Sequence, residues 1–506
     1  MKTKTLEVDY ADVQGLVRFG YKHMQLASYV LLRVKDAAAA RAWLRTASVS
    51  NAAASDSRSK TALQVAFTAS GLAAFGVSAE VIAGFSREFR SGMTEESRAR
   101  QLGDMEANAP QYWRWGVSNL EPHLVVMFFG ARDDADLHEA SFQKFVLEAK
   151  GRDWSNAFAE VATLNTQGIG SSEAFGFRDG ISQPELDWEQ QRVTTWPHYD
   201  YSNVVALGEF LLGYPNEYGK LTDRPLLSAN HATAGLLAAS EAPDKKDLGR
   251  NGTYLVIRHL EQDVRKFWQF MDEQSNGDPA AAERLAALMV GRQRNGDPLV
   301  PTQSTPIPGI GTKAGQNAQN QFTYEQDPTG SRCPFGSHLR RANPRNTDFP
   351  NRPGFFGKIL TMLGFGPRGY RDDLMSSVRY HRILRRGRGY GPVLSPIDAR
   401  YSAPPDDPER GLVFLALNAN LSRQFEFLQN AWMKNTKFDG MTGESDPLVG
   451  NRLPIPGCPV TSNFNMPADG TLRQRVTGLP QFVTVRGGAY FFLPSLRALR
   501  YFAGTN

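Results

Sequence analysis

Two short segments, far apart in the chain, carry residue types that could act together in one reaction. Residues 176–180 read Gly-Phe-Arg-Asp-Gly and place Asp179 on a turn bounded by glycines. Residues 333–340 place His338 shortly before Arg340. An imidazole can bind iron, a carboxylate can move protons, and arginines can hold the carboxylates of a porphyrin. We therefore predict that the two segments contribute to one haem peroxidase site.

His338 is the predicted iron ligand because its neighbours distinguish it from the other histidines. Pro334 and Gly336 predict a turn just before it. A carboxylate behind the imidazole would accept its second N–H and make the ligand more electron-rich. Asp446 is the candidate for that carboxylate, although an aspartate before proline is also typical of an ordinary turn or helix cap. Cys333 could bind iron as a thiolate, but the residues around it do not have that pattern.

Asp179 is the predicted general base, which would move a proton between the two oxygens of peroxide. The alternative is an ordinary turn aspartate. A carboxylate that faces an apolar haem tends to have a raised pKa, and a nearby arginine would lower that pKa again. Four arginines in residues 382–388 could supply this arginine, which would also stabilise charge on the leaving oxygen. The alternative for those arginines is a solvated basic hairpin.

The composition is that of a folded chain with more than one domain. Of 506 residues, 41% are hydrophobic and 11% aromatic, which allows a large core and excludes global disorder. The net charge of +5 is spread among mixed charges, so no segment is typical of nucleic-acid binding. Two cysteines, Cys333 and Cys458, exclude a disulfide framework.

The N-terminal residues contain no apolar signal segment, and no apolar run is long enough to span a bilayer. We therefore expect a cytoplasmic protein without a membrane span. Export by another route and enclosure in a larger shell are the alternatives.

A weak internal repeat predicts the fold. The sequence Tyr-Val-Leu-Leu-Arg at 29–33 returns as Tyr-Leu-Val-Ile-Arg at 254–258. Trp43 and Trp268 each lie 14 residues after the tyrosine of their copy. Each copy predicts a short apolar strand followed by a helix.

Further apolar runs at 123–129 and 411–418 predict one more strand in each half. We therefore predict an α+β fold of two domains, each an antiparallel sheet with helices on one face. The predicted domains are residues 1–205 and 206–506, with a loop-like boundary near 190–206.

The separated motifs together resemble those of the dye-decolorizing peroxidases. Residues 176–184, Gly-Phe-Arg-Asp-Gly-Ile-Ser-Gln-Pro, are similar to the distal motif of that family, and residues 333–345 are similar to its proximal motif. The distal arginine of the family lies in a stretch that begins Ile-Leu-Arg and precedes a glycine by six positions. This pattern selects Arg385, with Gly391 as the glycine. Other familiar segments extend the resemblance to nearly the whole chain: 12–15, 208–215 and 485–492.

The resemblance implies two ferredoxin-like domains, arranged like a dimeric α+β barrel, with haem b (iron protoporphyrin IX) between them. It implies that His338 binds the iron, that Asp179 moves the proton, and that Arg385 binds peroxide and helps to split it. The other residues that it implies at the haem are Gly180, Ile181, Ser182, Arg340, Arg345, Leu412, Phe414 and, behind the ligand histidine, Asp446.

The resemblance also implies an enzyme that uses hydrogen peroxide to oxidise dyes, phenols and similar small aromatic reductants in one-electron steps. One alternative is a haem protein for storage, sensing or delivery, which would not need Asp179 and Arg385. A second alternative is a haem oxygenase-type monooxygenase on a similar scaffold. The sequence carries no signal for the natural reductant or the oligomeric state. Tryptophans and tyrosines that could relay electrons to bulky reductants, although packing is their usual role, are Trp113, Trp115, Trp188 and Tyr390.

One segment departs from the family pattern. His338 and Arg385 are 47 residues apart, which is more than we expect, and the excess lies in 346–380. This segment contains an apolar stretch at 355–363 and could form a lid, an entrance wall or a contact surface.

Overall fold

A computed structural model describes residues 6–53, 60–131, 137–166, 172–191, 202–301, 318–347, 356, 359–360, 363, 377–466 and 473–504. Most of 346–380 and of the predicted boundary at 190–206 therefore lies outside the described residues. The strands are β1 (Leu26–Val34), β2 (Thr61–Phe67), β3 (Leu124–Gly130), β4 (Phe158–Thr166), β5 (Glu185–Asp187), β6 (Val204–Ala206), β7 (Leu226–Ser228), β8 (Lys245–Asp247), β9 (Thr253–Gln262), β10 (Leu384–Arg385), β11 (Arg388–Tyr390), β12 (Gly411–Asn418), β13 (Phe464–Met466), β14 (Gln474–Val476) and β15 (Val483–Leu493).

Helices lie between the strands, and the longest of them follow β1, β3 and β9. The α-helices are Gly15–Arg18, Ala37–Thr46, Ala69–Ala74, Ala79–Ala83, Arg87–Ser91, Glu96–Leu102, Leu137–Lys150, Trp154–Ala157, Val264–Gln274, Pro279–Val290, His338–Ala342, Pro396–Ala399 and Leu496–Ala503. Two π-helical segments, Ser422–Glu426 and Leu428–Lys434, precede β13. Within the described parts of the chain, no helix combines the length and the apolar composition that crossing a bilayer requires.

The main sheet confirms an α+β fold built from two similar halves. Its strand order is β10-β12-β9-β15-β2-β3-β1-β4, with β11 also paired to β12, and all neighbours are antiparallel. If β10 and β11 count as one strand, the first half has the strands β1 to β4 and the second half has β9, β10–β11, β12 and β15. In both halves, the spatial order across the sheet is the second strand in sequence, then the third, the first and the fourth. This is the strand order of a ferredoxin-like unit.

The internal repeat is also visible in how the first helix of each half begins. Helix Ala37–Thr46 follows β1 and carries Trp43, and helix Val264–Gln274 follows β9 and carries Trp268. An aspartate caps each helix: the side chain of Asp36 accepts the N–H of Ala39, and that of Asp263 accepts the N–H of Lys266. Each cap is worth about 1 kcal/mol.

The two halves share one continuous sheet, because β15 pairs with β2 at Phe492 and Phe67. Among the described strands, β4 and β10 end the path unpaired with each other, so the sheet is not a closed barrel, although β11 comes close to β4. The faces of the two halves that point away from the helices pack together in a common apolar core. Its members include Tyr29 and Leu31 of β1 and Ile257 of β9.

Candidate active site

The floor of the principal cavity is the helix-bearing face of the second-half sheet. Leu412 on β12 is paired with Leu260 on β9, and Phe414 with Arg258. All four side chains line the cavity, whereas Val413, between Leu412 and Phe414, points to the common core. The alternation of side chains along a strand thus gives β9 and β12 one apolar face for the core and another for the cavity.

Both predicted domains contribute walls to this cavity. The first half supplies residues 102–104 and Asn108, which lie between β2 and β3, and most of 173–182, which follows β4. The second half supplies the sheet and the helix that begins at His338. The cavity is therefore lined from both predicted domains, as expected for a haem site, and its floor is formed by strands of the second half.

His338 presents one nitrogen to the cavity and binds a buried carboxylate with the other. Its Nδ1 lies 2.9 Å from Oδ2 of Asp446, a residue that is fully buried. Because a carboxylate only accepts, Nδ1 carries a proton, so the neutral imidazole has its lone pair on Nε2. The imidazole keeps 32% of its surface exposed, and it lines the cavity. His338 is thus placed as a metal ligand whose tautomer Asp446 determines.

Asp446 is also the turn cap that its sequence predicted. Its Oδ1 accepts the N–H groups of Leu448 and Val449, both at 2.9 Å. Burial alone would raise the pKa of Asp446, but His338, the N–H of Val449 and the charge of Arg341 hold that pKa below its usual value. Burial would lower the pKa of His338, and Asp446 outweighs it, so the pKa of the imidazole is raised. The two predicted roles of Asp446 therefore coexist, because one carboxylate both caps the turn and binds His338.

Asp179 and Arg385 form an ion pair that also lines the cavity. Nη1 of Arg385 donates to Oδ1 of Asp179 at 2.7 Å, and the backbone N–H of Arg385 donates to the side chain of Gln183 at 3.0 Å. Burial would raise the pKa of Asp179, but Arg385, the N–H of Gly180 and Lys22 outweigh it and lower that pKa. Asp179 is therefore ionised at neutral pH and can act as a base.

The other arginines of the 382–388 segment have different partners. Arg386 donates to the carbonyl oxygens of Leu16 and Val17, and Arg388 donates to the carbonyl oxygen of Tyr21. These contacts bind the segment to the N-terminal residues, and both β10 and β11 pair with β12, so the segment is not a solvated basic hairpin.

Proteins of similar sequence include several dye-decolorizing peroxidases. The chain is 26% identical over 518 residues to the dye-decolorizing peroxidase msp1 of Mycetinis scorodonius, which covers 97% of this chain and 87% of the relative. It is 27% identical over 507 residues to the dye-decolorizing peroxidase AauDyP1 of Auricularia auricula-judae, with 96% and 86% covered. The chain belongs to the dye-decolorizing peroxidase family. It is also 31% identical over 360 residues to the multifunctional dye peroxidase DyP2 of Amycolatopsis sp., with 67% and 62% covered. No protein-family model matches the chain.

Solved structures of dye-decolorizing peroxidases have the same fold. The enzyme from Auricularia auricula-judae superposes with a TM-score of 0.70 over 98% of this chain and 99% of that one, at 23% identity. A dye-decolorizing peroxidase in complex with 2,6-dimethoxyphenol superposes with a TM-score of 0.69 over 98% and 100%, at 24% identity. These likenesses establish the ferredoxin-like α+β fold.

In this dye-decolorizing peroxidase, Arg340 does not line the cavity, contrary to the sequence-based expectation. Its side chain is 1% exposed and donates to Asp327 Oδ2 at 3.0 Å and to the carbonyl oxygen of Cys333 at 2.8 Å. It also lies over the rings of Tyr324 and Phe335. Arg340 therefore stabilises the segment around His338.

Two other arginines meet at Ser182, next to the distal motif. Nη2 of Arg292 donates to Ser182 Oγ at 2.7 Å, and Nη2 of Arg345 lies 3.5 Å from the same oxygen. Arg292 and Ser182 line the cavity, and Arg345 is fully buried behind them. Burial and the charge of Arg345 lower the pKa of Arg292 to about 9, so it remains a cation at neutral pH. No sequence motif pointed to Arg292.

The remaining residues predicted at the haem either line the cavity or shape the turn beside it. Ile181, Leu412 and Phe414 line the cavity, as expected. Gly180 is not among the described lining residues. Its φ of +75° and the hydrogen bond from Lys22 Nζ to its carbonyl oxygen, 2.9 Å, shape the turn after Asp179.

Cys333, the alternative iron ligand, is buried, and the four candidate relay residues differ in exposure. Both cysteines are buried and free, and burial raises the pKa of Cys333 to about 11, which disfavours a thiolate. Trp113 and Trp115 are buried in the core, whereas Trp188 and Tyr390 are partly exposed. Packing is therefore the role that the structure gives to Trp113 and Trp115.

Proposed function

We propose that this protein is a haem peroxidase that uses hydrogen peroxide to oxidise dyes, phenols and similar small aromatic reductants in one-electron steps. One observation carries the proposal: the free Nε2 of His338 and the ionised Asp179–Arg385 pair open on the same cavity. A haem-storage or delivery protein needs the histidine but not the distal pair.

The residues around the cavity fit haem b. Leu412 and Phe414 give it apolar walls, His338 offers a neutral imidazole nitrogen for iron, and Arg292 places a cation at its edge. Arg292, backed by Arg345, fits the negative charge of a propionate. When bound, haem iron supplies the reduction of the peroxide O–O bond and the one-electron oxidation of the reductants.

The chain supplies the proton transfer and the charge stabilisation. Asp179, ionised at neutral pH, accepts a proton from hydrogen peroxide and returns it to the oxygen that leaves as water. Arg385 stabilises the negative charge that develops on that oxygen. Leu412 and Phe414 exclude bulk water from the part of the cavity that holds Asp179 and Arg385. The lower dielectric constant there strengthens the interactions of these two side chains with peroxide.

Rapid mixing of the haem-loaded protein with hydrogen peroxide tests the proposal through the change in the Soret band. Asp179→Asn and Arg385→Leu should retain haem and react more slowly by on the order of 10²–10⁴-fold, because each removes a group that acts on the reacting oxygens. His338→Ala should weaken or abolish haem binding. Arg386→Leu is the matched control, since the guanidinium of this neighbour of Arg385 donates to the backbone carbonyl oxygens of Leu16 and Val17.

Two results would contradict parts of the proposal. A wild-type rate in the Arg385→Leu protein would show that Arg385 is not the distal arginine. Product formation that needs oxygen but no added peroxide would favour a monooxygenase instead.

A further inference from the structure

Glu173 lies on the cavity wall, in the turn that precedes Asp179, and has no part in the mechanism above. Its two carboxyl oxygens accept the backbone N–H groups of Phe175 and Phe177, both at 3.0 Å. Nε2 of Gln262, on β9, donates to the same carboxyl group at 2.7 Å. The side chain of Glu173 therefore connects the turn to the floor of the cavity.

The backbone of the turn is also held by hydrogen bonds within residues 172–178. The N–H of Glu173 donates to the carbonyl oxygen of Phe177 at 2.9 Å, and Ser172 pairs with Arg178 in an isolated β-bridge. Asp179 follows Arg178 directly. The hydrogen bonds of Glu173 therefore act on the segment that leads directly into Asp179.

We propose that Glu173 is a positioning residue for Asp179, and that its ionised carboxylate holds the turn more firmly than the neutral acid does. A carboxylate can accept from all three N–H donors. A protonated carboxyl group is uncharged and carries its own O–H, so it accepts from the three N–H donors more weakly. The inference rests on the proposed function, because the position of Asp179 matters through proton transfer from peroxide.

The surroundings of Glu173 allow both forms near neutral pH. Burial raises the pKa of Glu173 to about 7, and the charge of Asp179 also raises it, against the opposing effect of the N–H donors. Gln262, the neighbour on β9, is neutral, and the guanidinium of Arg294 packs against Gly176 of the turn. Since the pKa of Asp179 is lowered, the two carboxyl groups titrate in separate ranges.

The first test is the pH dependence of the reaction between the haem-loaded protein and hydrogen peroxide, measured by rapid mixing from about pH 4 to about pH 9. The wild-type rate constant should rise as Glu173 ionises near pH 7. Glu173→Gln should lack this rise and react roughly 10-fold more slowly above it, because the amide cannot accept from all the donors. The matched control is Glu261→Gln, an outward neighbour on β9 that pairs with Arg486 and should keep the wild-type rise.

Gln262→Leu provides a second variant in case Glu173→Gln does not fold. Removing this donor disfavours the ionised form, so the rise should move to higher pH. A rise that persists in Glu173→Gln, or that stays in place in Gln262→Leu, overturns the inference, as does a uniform loss of rate with an unchanged pH profile.

Infrared titration of the resting protein separates this inference from the proposed function. The C=O band of a protonated carboxyl group should disappear as the pH passes about 7 in the wild type and should be absent from Glu173→Gln. A wild-type protein without this band overturns the inference whether or not it reacts with peroxide. A band without any peroxide reaction overturns the proposed function alone.

Discussion

Asp446→Asn should weaken haem binding by changing which nitrogen of His338 carries the proton. Oδ1 of Asp446 accepts two backbone N–H groups, so the amide of asparagine must keep its oxygen at this place. The NH₂ group then faces Nδ1 of His338, where it can only donate. To accept that hydrogen bond, the imidazole must move its proton to Nε2, which removes the lone pair that iron needs.

If His338 instead keeps its proton on Nδ1, two donors face each other and the charge-assisted hydrogen bond is lost. Such a bond is worth about 1.5–3 kcal/mol, which corresponds to a roughly 10- to 150-fold lower affinity for haem. The assay is a titration of the haem-free protein with haem, followed by Soret absorbance. The matched control is Asp247→Asn, because Asp247 is equally buried and binds Arg224 and the N–H of Arg250, outside the cavity. The control should lower the melting temperature and leave the affinity for haem unchanged. Equal affinities and equal ferric spectra for wild type and Asp446→Asn would refute the reasoning.

Three further predictions follow from described contacts. Arg292→Met should lower the affinity for haem by about 10-fold, because it removes a cation from the cavity, whereas Arg340→Met should lower only the melting temperature. In Arg385→Leu, the residual reaction with peroxide should be lost at a higher pH than in the wild type. Loss of the guanidinium lets burial raise the pKa of Asp179, so the base is protonated earlier as pH falls, which a pH–rate profile would show. Gly71→Ala should destabilise the fold by about 2 kcal/mol or more, because the added Cβ would overlap a backbone carbonyl oxygen, and urea unfolding measures this change.

The sequence predicted the elements whose signal is local. The repeated strand and its tryptophan, the strands near 123–129 and 411–418, and the choice of Arg385 among four arginines all agree with the structure. A strand that is apolar on both faces can be predicted from residue type alone. The family's spacing of six positions between the distal arginine and a glycine was enough to select Arg385.

The differences between the expected and the observed site concern directions of side chains. Arg340 lies two residues after His338 on one helix, and two helical residues point about 200° apart, so one of them cannot face the cavity when the other does. Arg292 was missed because its role arises from contact with Ser182, which is 110 residues away in sequence. The sequence did not single out Glu173, although it lies just before the distal motif. Its role depends on backbone N–H groups that only the folded turn brings together.

Strand β15 sets the order in which the molecule can assemble. It lies between β9 and β2, and its partner residue Phe67 precedes Phe492 by 425 positions. During synthesis on the ribosome, the edges of β2 and β9 must therefore wait, unpaired, until β15 has emerged. Exposed edges are templates for aggregation, so this interval is when chaperones matter most. Val483 and Val485 of β15 also line the cavity, so the cavity wall is complete only once this last strand of the sheet has been made.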